Sequence, residues 1–171
     1  EYFCRTYLPH YFTDESAPFH QEMDRYLSQT DRPAVIAAPR GFSKSTRVSF
    51  ANPLHAICYE LKKFIIIVSE TETQAGLITA AIKAELEENP RIRSDFVEMK
   101  TDEWADTEFV AATGTKVLAR GAGQAVRGLK HGPHRPDLII IDDLESDISV
   151  RNPKRITNTL KWILEAVLPS R

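Results

Sequence analysis

Three uninterrupted apolar runs stand out in the chain, at positions 34–38, 64–68 and 138–141. Runs of this length without polar alternation are typical of strands buried on both faces of a parallel sheet. Segments with helical patterns precede, separate and follow them, over 19–28, 46–59, 72–88 and 153–168. Strands that alternate with helices predict an α/β domain with three layers and a mostly parallel central sheet.

Local signals begin and end some of the predicted helices. Thr71 and Gln74 form a capping box for a helix that Asn89-Pro90 ends. Pro53 lacks a backbone donor, so we expect it to kink or split helix 46–59. The inward faces of helices 72–88 and 153–168 are expected to consist of Leu77, Ile78, Ala81, Ile82 and Leu86, and of Ile156, Leu160, Ile163, Leu164 and Val167.

The remaining regions are less regular. The first 18 residues are rich in aromatic side chains and contain Pro9 and Pro18, which indicates irregular structure packed on the core. Residues 108–112 and 115–120 flank Thr113-Gly114 and predict a hairpin. In the charged region 91–106 the expected packing residues are Phe96, Val97, Met99 and Trp104.

A phosphate-binding loop is predicted between the first apolar run and the helix after it. Such a loop points backbone N–H groups at phosphate oxygens and is followed by a Lys for the β- and γ-phosphates and by a Ser or Thr for Mg²⁺. Lys44 and Ser45 stand at those two positions, and the helix dipole adds to the same anion site. Ala38 and Ser43 replace the two consensus glycines, so we expect backbone strain at Ser43. The predicted nucleotide-binding residues are Pro39, Arg40, Gly41, Phe42, Ser43, Lys44, Ser45 and Thr46. The alternative is a polar turn before an ordinary helix.

A row of carboxylates follows the third apolar run. Asp142 would hold Mg²⁺ through water, and a following acid, Asp143 or Glu145, would polarise the attacking water. Two alternatives remain: a surface turn rich in Asp, or a metal-dependent nuclease that uses Asp142, Asp143, Glu145 and Asp147. An aromatic segment, Phe19-His20-Gln21, is expected to cover one end of the sheet, with an adenine pocket as its alternative.

Composition limits the classes of protein that fit. The 171 residues, 42% of them hydrophobic, make one domain with a sizeable core. A net charge of −2 gives no overall basic field, so any DNA contact must be local. Cys4 and Cys58 fit reduced thiols in a cytoplasm. No apolar stretch approaches the roughly 20 residues of a membrane span and no signal peptide is present, which predicts a soluble protein.

As a set, three segments resemble the ATPase (motor) domain of tailed-phage large terminase subunits. They are the Arg-bearing loop 39–46, the loop Ala125-Val126-Arg127-Gly128, and Ile140 to Ser146 followed by Val150-Arg151-Asn152-Pro153. The resemblance covers most of the chain, from about residue 19 onward. It implies a P-loop NTPase of the additional-strand (ASCE), RecA-like branch.

The resemblance also implies the activity and its partners. In that family the domain hydrolyses ATP with Mg²⁺ and pumps double-stranded DNA into a procapsid, in the host bacterial cytoplasm. Its partners are the portal protein, the small terminase subunit and further copies in a homo-oligomeric ring. Carried onto this chain, Lys44 would bind the β- and γ-phosphates, Ser45 and Asp142 the Mg²⁺, and Arg40 would sense or stabilise the γ-phosphate. Arg127 would be an arginine finger acting on a neighbouring subunit; its alternatives are a solvated loop arginine and a contact to a DNA phosphate.

Several points stay open from the sequence. The family places Glu directly after the metal-binding Asp; here Asp143 has that position, whereas Glu145 has the longer reach. The chain is expected to be a fragment that lacks the coupling-motif strand and the C-terminal nuclease domain, to be a monomer with weak ATPase activity, and to cleave no DNA. The alternative functions are another DNA-dependent P-loop ATPase, such as a helicase, and a nucleotide-binding module with little turnover.

Overall fold

The computed structural model describes residues 1–29, 33–144 and 152–170. Its α-helices are α1 (Tyr2–Tyr7), α2 (Pro18–Ser28), α3 (Asn52–Cys58), α4 (Glu72–Glu88), α5 (Pro90–Asp95) and α6 (Pro153–Trp162). Its strands are β1 (Phe64–Ser69), β2 (Glu108–Val110), β3 (Lys116–Gly121) and β4 (Leu138–Ile141). The strand order is β2-β3-β1-β4. Strand β1 is parallel to both neighbours and β2 is antiparallel to β3, so the predicted α/β fold with a mostly parallel sheet is confirmed.

Strand β1 lies at the centre of this sheet, and all six of its residues are buried. Successive side chains point to opposite faces, as the pleat requires. Ile65 and Ile67 therefore pack in one core cluster, and Phe64, Ile66 and Val68 pack in the other. Each of these five side chains contributes about 1.5–3 kcal/mol by leaving water.

Different elements cover the two faces of the sheet. The larger cluster contains residues of α1, α3, α4 and α5. The smaller cluster is completed by Val126, Leu129, Leu144 and Trp162, so the loop after β3 and helix α6 lie on the second face. Layers on both faces of the sheet are compatible with the predicted three-layer architecture. No helix in the described residues has the length and apolarity needed to cross a bilayer.

The capping signals predicted from the sequence are confirmed. Thr71 Oγ1 accepts the Gln74 N–H at 3.2 Å at the start of α4. Asn89 ends that helix and its side chain caps α5, a helix that the sequence did not predict, by accepting the N–H groups of Arg91 and Ile92 at 3.0 and 3.2 Å. The hairpin is confirmed as β2 and β3, with Gly114 at φ 78° in the turn.

Pro53 splits its helix as expected. The helical segment runs over 44–58, but Thr46–Ala51 is π-helical and α3 begins at Asn52. Because Pro53 has no N–H and its ring crowds the carbonyl four residues back, the turn before it widens. The Asn52 N–H accordingly donates to Arg47 O, five residues back.

The prediction of a buried strand at 34–38 is wrong. This segment has no regular secondary structure, and Val35 is 97% exposed. No described strand lies beside it to satisfy a ladder of backbone hydrogen bonds. Strand β4 is likewise less buried than expected: of its residues only Ile140 is buried, and Ile141 is 36% exposed. In the described part of the chain β4 pairs with β1 alone, so it is an edge strand.

Four predicted packing residues are exposed instead, namely Leu77, Val97, Leu160 and Leu164. In α4 the buried face is centred on Ala75, Thr79, Ile82 and Leu86, and Leu77 lies on the opposite side of the helix. The N-terminal region packs on the core as expected, but it contains helix α1.

Both cysteines are free and buried. Burial raises the pKa of the Cys58 thiol to about 12. This thiol is therefore protonated at neutral pH and is a packing residue rather than a nucleophile.

The contact between β3 and α4 can be tested at Gly121. A Cβ at this buried position would lie 2.9 Å from the Glu72 backbone nitrogen, which cannot swing away as a side chain could. We expect Gly121→Ala to lower the free energy of unfolding by about 1–3 kcal/mol in urea titrations. The control is Gly76→Ala inside α4, where the added Cβ meets only the Thr107 methyl group at 3.3 Å and helix propensity improves. Equal stability of the two variants would contradict this close backbone packing.

Candidate functional site

The predicted phosphate-binding loop has two residues in the left-handed region, Gly41 at φ 81° and Ser43 at φ 53°. Ser43 stands where the consensus has its second glycine, so the strain expected there from the sequence is confirmed. The left-handed conformation costs a residue with a Cβ about 1–2 kcal/mol. The fold keeps this turn although the side chain disfavours it.

The turn leads directly into a helix start. The first intrahelical hydrogen bond runs from the Arg47 N–H to Ser43 O at 3.0 Å. The N–H groups of Lys44, Ser45 and Thr46 precede that bond and have no carbonyl four residues back within the helix. Such donors, together with the positive end of the helix dipole, favour an anion at this position, as the sequence predicts.

The Lys44 side chain folds back over its own loop. Its Nζ donates to the carbonyl oxygens of Ala38 and Pro39, the latter at 3.0 Å. The ammonium group is thus held at the loop by two neutral acceptors. A phosphate oxygen is a stronger acceptor for a cation than a carbonyl, so an entering phosphate group can replace them.

The Asp142 carboxylate lies close to the helix that follows the loop. The Asp142 backbone N–H donates to Val68 O at 2.9 Å, which fixes the residue beside the carboxyl end of β1. Its Oδ2 accepts a hydrogen bond of 2.7 Å from Ser49 Oγ. Ser49 is one helical turn after Ser45, so the structure brings the loop and the acid of β4 to the same edge of the sheet.

Ser49 is a contact that sequence reasoning missed. The prediction paired Asp142 with Ser45, but no hydrogen bond between described residues joins those two side chains, and Ser45 is exposed. One signal was available, because Ser49 stands four residues after Ser45 on the same helix and is followed by the apolar Phe50 and Ala51. What the sequence lacked was the position of β4 against this helix.

A further acid, Glu70, lies beside the candidate water-polarising residue Asp143. Asp143 is exposed, has φ 50°, and accepts the Glu70 N–H with its carbonyl oxygen at 3.0 Å. Glu70 also forms an ion pair of 3.6 Å with Arg155 of α6. The sequence held a weak signal for Glu70, an acid that follows the apolar run 64–68 with only Ser69 between. Glu145 and Asp147 lie outside the described residues.

The two candidate arginines lie in different places. Arg40 is exposed on the phosphate-binding loop itself. Arg127 is exposed on the loop after β3 and lines an open pocket with Asn158, Lys161 and Trp162 of α6. The Trp162 indole N–H donates to Gln124 O at 3.0 Å and holds that loop against α6. No hydrogen bond or ion pair between described residues joins Arg127 to loop 39–46.

Helix α2 reaches the phosphate-binding loop with aromatic side chains. The Phe19 ring lies 5.2 Å from the Phe42 ring, and His20 Nε2 lies 3.4 Å from Phe42 O. Phe19 belongs to neither core cluster, so the expected role of covering the end of the sheet is not what its contacts show. Gln21 is exposed. The alternative, an adenine pocket formed by these residues, stays a prediction.

A buried arginine, also missed from the sequence, fixes α2 to the helix after the loop. Arg47 is 3% exposed and lies 3.1 Å from Asp24 Oδ2, and it donates to Ser16 Oγ at 2.6 Å. Its guanidinium lies 5.0 Å from the centre of the Phe12 ring. Arg47 also forms an ion pair with Glu1 Oε2 at 3.2 Å. Pairing with these two carboxylates makes the buried charge tolerable, and separation of α2 from the helix would remove one of them, Asp24.

The oxygen donors of the site fit Mg²⁺. A carboxylate and a hydroxyl are the hard ligands that this ion prefers, and Mg²⁺ commonly takes only one or two protein ligands and completes its shell with water and phosphate. Asp142 and Ser45 supply such donors at one sheet edge. Nowhere in the described residues, this site included, do three His, Cys, Asp or Glu side chains gather into a metal site.

Comparisons of this chain with protein-family models, with curated proteins and with solved structures gave no significant match. The resemblance to terminases therefore stays a prediction that rests on the motifs.

The strain at Ser43 yields a test of the loop. Glycine adopts φ 53° freely, whereas a β-branched residue resists it strongly. We expect Ser43→Gly to keep or raise the affinity for ATP, and Ser43→Val to weaken it at least tenfold in calorimetric titrations. Equal affinity of the two variants would show that this backbone conformation does not serve ligand binding.

Proposed function

We propose that this chain is a Mg²⁺-dependent ATPase domain of the large-terminase type, which hydrolyses ATP to move double-stranded DNA into a procapsid. The observation that supports it best is the 2.7 Å hydrogen bond between Ser49 and Asp142. This bond joins the helix that begins at Lys44 to the acid at the end of β4. It supports the proposal that a loop motif and a carboxylate motif, 98 positions apart in sequence from Lys44 to Asp142, form one site.

The loop geometry supports the proposed binding of a nucleotide. The first-turn N–H groups of the helix and the Lys44 ammonium receive the β- and γ-phosphates, while Arg40 on the loop reaches the γ-phosphate. Ser45 and Asp142 would hold Mg²⁺, which would neutralise charge that develops on the phosphate oxygens. The aromatic contact between Phe19 and Phe42 offers a flat apolar surface for the base.

Hydrolysis needs a carboxylate that orients and deprotonates the attacking water. Asp143 has the position for this role directly after Asp142, and Glu145 has the longer side chain. Glu70 is a third candidate because its backbone lies against that of Asp143. Arg127 is assigned to a neighbouring subunit's site, since it lies on the loop against α6 and not at the loop of its own chain.

The assignment to DNA packaging rests on the motif resemblance alone. The same resemblance implies that the partners are a portal protein, a small terminase subunit and further copies in a ring, and that the location is the host bacterial cytoplasm. A different DNA-dependent P-loop ATPase would use the same site. The second candidate, a nucleotide-binding module with little turnover, is favoured by the strained Ser43 and by the short side chain of Asp143.

Removal of the Lys44 ammonium tests the ATPase proposal. We expect Lys44→Ala to lower ATP affinity at least tenfold and to abolish phosphate release, because the cation serves the ligand and not the core. The measurements are calorimetric titration with Mg·ATP and phosphate release over hours. Lys62→Ala is the control, since Lys62 precedes β1 at the opposite edge of the sheet.

Unchanged binding and turnover in Lys44→Ala, with wild-type stability, would end the P-loop interpretation. Tight binding by the wild-type chain without phosphate release would instead favour the nucleotide-binding module.

The water-polarising acid can be identified by three separate variants, Glu70→Gln, Asp143→Asn and Glu145→Gln. General base catalysis contributes about 10²–10⁴ in rate, so one variant should lose that much in single-turnover hydrolysis while its Mg·ATP affinity stays at the wild-type value. We expect this variant to be Asp143→Asn. Glu88→Gln, on the exposed end of α4, is the control. Small and equal losses in all three would exclude each of them as the base.

A further inference from the structure

The Ser49 hydroxyl is a buried polar group with a charged acceptor. Ser49 is 1% exposed, and its Oγ donates to Asp142 Oδ2 at 2.7 Å. We propose that Ser49 is a positioning residue that holds the Asp142 carboxylate in the orientation in which its other oxygen, Oδ1, faces the metal ion. This inference rests on the proposed function, because it concerns the Mg²⁺ of the same site.

Both ends of this hydrogen bond are held rigidly. On one side, Ser49 lies in the helix between the buried Arg47 and the buried Phe50 and Ala51. On the other side, the Asp142 backbone is bonded to Val68 of the fully buried strand β1. Because neither backbone can move without disturbing the core, the bond fixes the carboxylate torsion as well as its place.

The hydrogen bond from Ser49 also gives the two carboxylate oxygens of Asp142 different surroundings. Oδ2 points into the structure toward Ser49, while no described residue donates to Oδ1. Ser45, one turn earlier, is exposed and makes no hydrogen bond to Asp142 in the described part of the chain. Two hydroxyls of one helix therefore have separate tasks: Ser45 is available to the ion, and Ser49 orients the acid that binds it.

A partner that orients a metal ligand commonly changes metal affinity about 10–100-fold when it is removed. Removal of a hydroxyl that has only a structural role would lower the stability of the fold and leave the metal affinity unchanged. Thr115 supplies that comparison, because it is fully buried and its Oγ1 donates to Lys62 O at 2.7 Å, at the amino end of β3.

The experiment measures the affinity for Mn²⁺, used as a paramagnetic probe for Mg²⁺, by electron paramagnetic resonance on the 171-residue chain with saturating ADP. We expect Ser49→Ala to weaken Mn²⁺ binding about 10–100-fold. Ser49→Thr should restore most of it, since the hydroxyl returns. Thr115→Val should leave it unchanged, and the ADP affinity measured in chelator should be the same in all of these variants.

A double-mutant cycle shows whether Ser49 affects Mn²⁺ affinity through Asp142 or independently of it. In an Asp142→Asn background, Ser49→Ala should cause no further loss of Mn²⁺ affinity. Additive losses, wild-type Mn²⁺ affinity in Ser49→Ala, or an equal loss in Thr115→Val would overturn the role of Ser49 while leaving the ATPase proposal intact. Failure of the wild-type chain to bind Mn²⁺ with ADP would overturn both.

Discussion

Strand β1 is buried on both of its faces and paired on both of its edges, and the positions of the other elements follow from this. Alternation of its side chains creates two core clusters, one for the helices of the first face and one for the loop and α6 of the second. Its start is fixed by Asp137, whose carboxylate accepts the N–H groups of Lys63 and Phe64, each at 2.9 Å. Its carboxyl end fixes the position of the candidate site, because the Asp142 N–H donates a hydrogen bond to Val68 O.

The candidate site is a junction of rigid parts with a strained turn between them. The helix after the loop is held from one side by Arg47 and from the other by the bond between Ser49 and Asp142. Ser43 is kept in a conformation that its side chain disfavours, and Lys44 is folded onto carbonyl oxygens of its own loop. The backbone of this loop is already turned, and among the described residues the hydrogen bonds of its cation go to neutral acceptors, which suits the proposed binding of an anion. The conformational cost of forming the site is then met during folding rather than on binding.

Part of this site could be predicted from the sequence. Lys44, Ser45 and Asp142 carry motif signals because the chemistry of phosphate and Mg²⁺ demands particular residue types at short spacing. Ser49, Glu70 and Arg47 belong to no such motif, and their positions in the sequence hold at most a weak signal. Each acquires its role from a partner at least 23 positions away in sequence. The strain at Ser43 was also predictable, because the motif places a glycine at this position and a serine must adopt the same backbone conformation.

The sequence by itself determined the features that depend on neighbouring residues. These are the cap of α4, the hairpin of β2 and β3, the split of the helix before Pro53, and the apolar strand β1. Only the tertiary structure decided which apolar residues are buried, and Val35 and Leu164 show why. An apolar run lowers its free energy by burial only where another element supplies the opposing surface or the hydrogen bonds of a neighbouring strand, and in the described part of the chain none covers these two residues.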